Sequence, residues 1–315
     1  MNDNNRFSFN ENAIKTLKNR IVEETEFPKV IPIENCSFCN LKCSMCHHRD
    51  LKRKKGFMPL ELYKKIIDEI ADNNLDTQIW MTFFGEGLIL KDLDYRVKYA
   101  KDKGLTNVNF NSNGNFLSYE KSKSLIEAGL DRLIVGVDAI NEETYKKIRV
   151  GGNLKNVTEN VINYNLLLKE IGNKNQIIEV QFIEQPLNKQ ESQDFIQFWS
   201  VEHHISCKLR PMLTWSGTIE SEAPNLKDNL LVERLPCYWS MAVCPILDNG
   251  DVPLCGCDIE CSNNMGNVYN STIKDIWNGK LKEIRQFQRN NMWSSMPSIC
   301  DKCRDWQAAY CEHVN

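Results

Sequence analysis

The chain has no run approaching the ~18 consecutive apolar residues of a membrane span, which excludes a helix that crosses a bilayer. Its first residues, MNDNNRFSFNENAIK, lack the apolar core of a secretory signal, so the expected location is the cytoplasm. A large net charge is missing too: 39 Lys and Arg face 42 Asp and Glu, a formal −3. No bulk field therefore points to nucleic acid or to a membrane surface. Cysteine is absent between Cys46 and Cys207, yet the chain holds 13 of them. Four lie at 36–46 and eight from Cys237 onward. In a reducing compartment such thiols stay free or hold metal. Two thiol-rich ends around a thiol-free span suggest two metal sites on one catalytic body.

The thiol-free span has the clearest pattern. VIPIEN (30–35) reads as a short buried strand that leads into the first cysteines. Residues 59–73 place Leu62, Tyr63, Ile66, Ile67 and Ile70 at helical spacing behind Pro59. The apolar run 78–86 reads as a second strand, 92–103 as a helix stopped by Gly104, 107–114 as a third strand, and 118–129 as a helix closed by Gly129. A strand at 131–138, a helical pattern over 141–171, a strand at 176–184, a helix at 189–203 and a strand at 206–213 complete the series. Six β-α units with short connections imply an α/β fold, a partial (β/α)6 TIM-like barrel with a parallel sheet. The site of such folds lies at the carboxyl ends of the strands, where the cysteine loop opens.

In ENCSFCNLKCSMCHH, Cys39, Cys43 and Cys46 follow a C-x3-C-x2-C spacing. Three thiolates on a tight loop suit an iron–sulfur cluster and leave one iron open. Zinc, with His47 or His48 as fourth ligand, is the alternative. Cys36 reads as a small buried hydrophobe.

CNLKCSMC resembles the signature loop of the radical S-adenosylmethionine (radical SAM) enzymes. That resemblance implies a [4Fe–4S] cluster on Cys39, Cys43 and Cys46, with S-adenosylmethionine chelating the open iron. It also implies reductive cleavage to a 5′-deoxyadenosyl radical and an electron donor such as flavodoxin or ferredoxin. FFGEG places Gly85 and Glu86 where the family meets the methionine amino group, with Gly87 in place of the usual Pro. NSNG resembles the family's Thr-Asn-Gly turn and brings Ser112 and Asn113 to the cofactor. Asp138 is expected on the ribose hydroxyls, Arg149 on the cofactor carboxylate, and Gln181 beside them.

Among the later cysteines, Cys237 and Cys255 flank an apparent hairpin turn, DNGDV, and Cys300 and Cys303 form a C-x2-C pair. Four thiols are enough for a second, fully protein-bound cluster, or for zinc. The C-x12-G-x4-C element, GN…IW…R and the closing C-x2-C resemble the C-terminal extension called SPASM in its short form, Twitch. This implies one auxiliary [4Fe–4S] cluster on Cys237, Cys255, Cys300 and Cys303 in a small β-hairpin-plus-helix domain. The expected organisation is an N-terminal extension at 1–29, a barrel at 30–214 and the auxiliary domain at 215–315. Cys257 and Cys261 are candidate hydrogen donors to a substrate radical, and Cys244 is a candidate replacement ligand. Arg210 is a candidate proton acceptor, with a salt-bridged arginine as the alternative.

Relatives of this short architecture imply a small polar substrate, a sugar or aminocyclitol, that is dehydrogenated or epimerised. A peptide-modifying maturase is the second reading, disfavoured by the roughly 30 residues ahead of the first strand. A metal-binding scaffold without catalysis is the third. The basic run RDLKRKK (49–55) is a candidate holder of an anionic group, or a solvated loop. Trp215, Trp239 and Trp306 are candidates for stacking on sugar or for plain packing.

Overall fold

The computed structural model describes residues 7–9, 15, 23–219, 234–301 and 303–313. Most of the expected N-terminal extension lies outside them.

Six strands form one parallel sheet in chain order: β1 (Val30–Pro32), β2 (Gln78–Trp80), β3 (Val108–Ser112), β4 (Arg132–Gly136), β5 (Ile177–Glu184) and β6 (Ser206–Pro211). Each crossover carries helix, as parallel pairing requires. Between β1 and β2 lies α1 (Leu60–Asn73), whose Leu62, Tyr63, Ile66, Ile67 and Ile70 are all buried. Burying each stabilises the fold by about 1.5–3 kcal/mol for the aliphatic members. Helices α2 (Leu93–Asp102) and α3 (Tyr119–Glu127) follow the next two strands, and Ser118 caps α3 by accepting from the Lys121 N–H.

Two elements depart from the sequence pattern near the site. The expected strand 78–86 stops at Trp80. Beyond it Met81 N–H still donates to Asn109 O at 2.8 Å, then the Thr82 hydroxyl donates to Asn111 O at 3.0 Å, and the chain turns into the loop at Gly85. The helical pattern 141–171 is two helices, α4 (Glu142–Ile148) and α5 (Leu154–Ile171), with Asn153 capping the second. The break between them turns Arg149 inward. After β5, α6 (Ser192–Ile196) continues into a wider turn over 197–202.

The later cysteines also fold differently from a simple hairpin. Residues 243–246 join the open edge of the barrel sheet beside β1: Cys244 N–H donates to Val30 O at 2.9 Å and Ile246 N–H to Pro32 O at 2.8 Å. Past the turn, β7 (Asp251–Pro253) pairs antiparallel with β8 (Asn264–Asn267) instead of with the preceding residues. Upstream of 243 lies α7 (Tyr238–Ala242), and downstream of β8 the expected helix is split at Gly279 into α8 (Ile273–Asn278) and α9 (Lys280–Arg289). Phe7–Phe9 pairs antiparallel with Cys311–His313, so the two chain ends meet. No helix among the described residues is long and apolar enough to cross a membrane.

Candidate active site at the strand ends

Cys39, Cys43 and Cys46 stand on the loop after β1, and distant main chain holds that loop. Lys42 N–H donates to Val150 O and Ser44 N–H to Ile148 O, both at 2.9 Å, so the α4–α5 break docks against it. From β2, Glu86 N–H donates to Phe38 O at 2.7 Å. This approach requires Gly85: its φ is +85°, and a Cβ there would run into Cys36 O. Cys36 is 1% exposed and its thiol donates to Phe38 O, as expected of a buried spare. The two imidazoles offered for zinc are engaged elsewhere, His48 Nε2 with Ser37 O at 2.7 Å and His47 Nδ1 with Thr218 Oγ1 at 3.0 Å. Burial pushes the free thiols up, Cys39 to about 11 and Cys46 to about 12. Iron bound as thiolate removes that penalty.

The strand-end residues converge on this loop, and two carboxylates tie its neighbours together. Glu86 is buried and accepts three bonds: Asn113 N–H at 2.7 Å, Ser112 Oγ–H at 3.0 Å and Leu88 N–H at 3.0 Å. Desolvation raises its pKa while these donors oppose the shift. The carboxylate thus locks the β2 and β3 loops together. Asn113 Nδ2 donates to Asn40 Oδ1 at 2.8 Å, next to Cys39. Asp138 is fully buried; it accepts from Ile183 N–H at 2.6 Å and pairs with Arg149 at 2.5 Å. It holds Arg149 in place. Arg149 is not a solvated helix arginine: its Nη1 lies 3.7 Å from Cys43 Sγ. Burial opposes its charge, but Asp138, Cys43 and Tyr145 keep its pKa above the ordinary value.

A solvent-open cavity of about 640 Å³ runs from this loop through the barrel. Met45 of the loop, Gln181 and Ile183 of β5, Lys208 and Arg210 of β6, and Trp215, Tyr238 and Trp239 line it. Arg210 is not the salt-bridged arginine weighed as the alternative. Burial and the Arg132 charge hold its pKa below the ordinary value. Trp215 Nε1–H donates to Met45 O at 2.8 Å and its ring packs on Phe84.

A second, much smaller space is lined by Cys237, Cys255, Cys300 and Cys303 together. Cys257, a candidate hydrogen donor, lines it as well. Its thiol points at Asp305 Oδ2, 3.4 Å away. Thiol donation from Cys257 lowers Cys303 to about 7. Among the described residues no three Cys, His, Asp or Glu side chains meet at single-ion distance; the five thiols stand around a space. Cys261 lies among Asp258, Asp251 and Arg53, in neither cavity's lining. Cys244 is fully buried in the barrel core, and Trp306 packs with Leu235, Met241 and Tyr310. Trp239 borders both cavities.

The profile of the radical SAM superfamily matches residues 34–173, and that of the SPASM iron–sulfur cluster-binding domain matches 237–304. The chain belongs to the radical SAM superfamily. The cofactors of these two domains are [4Fe–4S] clusters and S-adenosylmethionine, and the thiol-lined spaces fit them. A protein named "Probable GTP 3′,8-cyclase" from Methanococcus maripaludis strain C5 is 32% identical over 125 residues, 39% of this chain. The match spans only 41% of that relative's length. The structure of BtrN in complex with AdoMet and 2-DOIA superposes with a TM-score of 0.57 at 19% identity, covering 91% of this chain and 93% of BtrN. Streptococcus suis SuiB bound to precursor peptide SuiA gives 0.70 at 13% identity, covering 94% and 74%. Both likenesses speak for the radical SAM fold with its C-terminal extension.

The radical SAM barrel contains site residues the sequence pattern did not single out. Gly136 on β4 is one, because a Cβ there would occupy the place of the Arg149 guanidinium. Asp305, two residues past Cys303, accepts from Thr214 N–H at 2.6 Å and Ser216 N–H at 2.8 Å, and so holds the Trp215 loop. Lys208 was legible in principle, since it alternates with Arg210 along β6. The run 49–55 is a strut: Arg53 pairs with Glu34 at 2.6 Å and Asp248 at 3.3 Å, and Glu260 accepts the Lys52 and Arg53 N–H groups. This removes Arg53 from the candidate anion holders.

Proposed function

We propose that this radical SAM enzyme dehydrogenates a small polar molecule, of sugar or cyclitol size, held in the barrel cavity. One observation carries the reading: the cavity reaches from Met45 on the cluster loop to Trp239, whose other side borders the second thiol-lined space. Bound cluster and S-adenosylmethionine supply a 5′-deoxyadenosyl radical that takes a hydrogen atom from substrate. The chain's own residues hold and exclude. Cys39, Cys43 and Cys46 would ligate the cleaving cluster. Gly85, Glu86, Ser112 and Asn113 shape the shelf beside it, and Asp138 aims Arg149 at the cofactor carboxylate, with Gln181 alongside. Cys237, Cys255, Cys300 and Cys303 would hold the auxiliary cluster, a sink for the electron that oxidation releases, while the substrate proton would leave to solvent through the open side of the cavity. Trp215, tied to Met45, closes the wall that keeps water out.

Oxidation is favoured over epimerisation by where the thiols stand. Epimerisation needs a hydrogen donor at the substrate, yet Cys257 sits in the auxiliary space and Cys261 among Asp258, Asp251 and Arg53. The relative named for a GTP cyclase brings a nucleotide into view as substrate class, and the SuiB complex brings a peptide. Anaerobic reconstitution with dithionite and S-adenosylmethionine tests the reading, using a panel of sugars, cyclitols and their phosphates in deuterated water. The expected product is two mass units lighter and free of deuterium at the reacting carbon. Deuterium incorporation without mass loss would make the enzyme an epimerase, and absence of 5′-deoxyadenosine would leave a scaffold.

A further inference from the structure

We propose that Lys208 and Arg210 form a binding site inside the barrel for an anionic group of the substrate, a phosphate or a carboxylate. The proposal rests on the reading above that this cavity is the substrate space. Three cations, Lys29, Lys208 and Arg210, and no carboxylate appear among the described residues that line it. The carboxylates nearby are engaged. Glu179, one layer below on β5, is ion-paired with Arg132, and Asp138 with Arg149. Lys29 pairs with Glu23 at 2.8 Å.

Lys208 and Arg210 are different. Two positions apart on β6, they project to the same face. Their register partners on β5 are Gln181 and Ile183, which line the cavity with them. Both side chains are exposed, on the solvent-open side of the cavity. Neither makes a hydrogen bond or ion pair among the described residues. Burial first, and then neighbouring guanidinium charge, pulls both groups below their ordinary pKa. Arg132 adds a third positive charge nearby, and Glu179, already paired with Arg132, offsets it only in part. An anion between them would reverse both penalties. Arg210 offers a planar fork that matches phosphate or carboxylate, and Lys208 adds a point charge. The same field repels a cationic aminocyclitol, which narrows the substrate to acidic or phosphorylated molecules.

The anionic group has two possible sources, the substrate or the carboxylate of S-adenosylmethionine, and the test separates them. Reconstituted protein saturated with S-adenosylmethionine is titrated with inorganic pyrophosphate, following tryptophan fluorescence. Pyrophosphate is expected to bind, and Lys208→Gln and Arg210→Gln each to weaken it about tenfold or more, the scale of one charge-assisted hydrogen bond. Arg210→Lys should recover part of the loss. S-adenosylmethionine affinity, measured by equilibrium dialysis, should stay at the wild-type value in all three variants, which also reports that they are folded. The proposal is overturned if pyrophosphate fails to bind, if the variants bind it as wild type does, or if cationic streptamine competes for the site. It is equally overturned if S-adenosylmethionine affinity falls in step, because the pair then serves the cofactor. If wild type makes no 5′-deoxyadenosine while pyrophosphate still binds through the pair, the radical reading falls and the anion site stands.

Discussion

The two thiol clusters are built on opposite plans. In the barrel, three thiols sit within eight consecutive residues, Cys39 to Cys46, and long-range main-chain bonds only aim the loop. In the C-terminal region the thiols run from Cys237 to Cys303 and meet only because α7, the residues before Cys257 and the closing C-x2-C fold around one space. The first set sits on a loop whose Met45 lines the large cavity, and it has no reserve, since Cys36 is turned into the core. The second is enclosed and carries a fifth thiol, Cys257. An iron that must bind a cofactor needs a missing ligand, whereas a cluster that only passes electrons tolerates a surplus.

The largest effects should come from the set without reserve. Cys43→Ala is expected to lower iron by about four per chain, one [4Fe–4S] cluster, and to bring 5′-deoxyadenosine formation to background. Chromatography of the nucleoside beside an iron assay checks this. A variant that still cleaves S-adenosylmethionine at the wild-type rate would break the contrast at its root.

The enclosed set should respond less. Cys255→Ala is expected to keep part of the auxiliary iron, because Cys257 lines the same space. Only Cys255→Ala combined with Cys257→Ala should lose about four irons per chain. Iron analysis with electron paramagnetic resonance of the reduced protein reads the difference. If the single variant loses as much as the double, Cys257 is no reserve and the two plans differ only in sequence spacing.

This contrast also explains what was legible beforehand. The local set, Cys39, Cys43 and Cys46, and the period of the β-α units are patterns along the chain, so six strands and their order follow from reading it. Cys257 is two residues from Cys255, but nothing in CGC says whether the second thiol faces the auxiliary space or the barrel mouth. That depends on β7 pairing with β8 rather than with the residues before the turn, which join β1 instead. Glu86 and Asp138 were legible as residues, but their protein contacts were not. A strand end tells where a carboxylate is, while its partners, Asn113 N–H or Arg149, come from other strand ends. The basic run 49–55 looked like a charge patch because the partners of Arg53, Glu34 and Asp248, lie 19 and 195 residues away.

A smaller effect tests how finely the open set is aimed. Gly136→Ala would put a methyl where the Arg149 guanidinium lies against Asp138. Displacing that one charged contact should weaken S-adenosylmethionine binding roughly tenfold, with iron content unchanged. Equilibrium dialysis measures it. Unaltered affinity would mean that Arg149 does not meet the cofactor, and that the loop alone defines the open site.

The smallest expected effect concerns the strut that joins the two plans. Glu34, at the end of the β1 segment, is buried with Arg53, which also reaches Asp248 beyond the edge strand. Desolvation outweighs the Arg53 charge and raises Glu34 from 4.5 to about 7. A carboxyl with a raised folded pKa binds its proton more tightly in the native state. Its contribution is therefore fully present below 4.5 and is lost as pH rises through about 7. The thermal midpoint of wild type should decline over that window more steeply than that of Glu34→Gln, which has no proton to lose. Differential scanning fluorimetry of both proteins between pH 5 and pH 8, about one unit outside the titration at its upper end, reads the slopes. Parallel slopes would show that Arg53 keeps Glu34 ionised throughout, so that the junction between barrel and extension is an ion pair at every pH the enzyme meets.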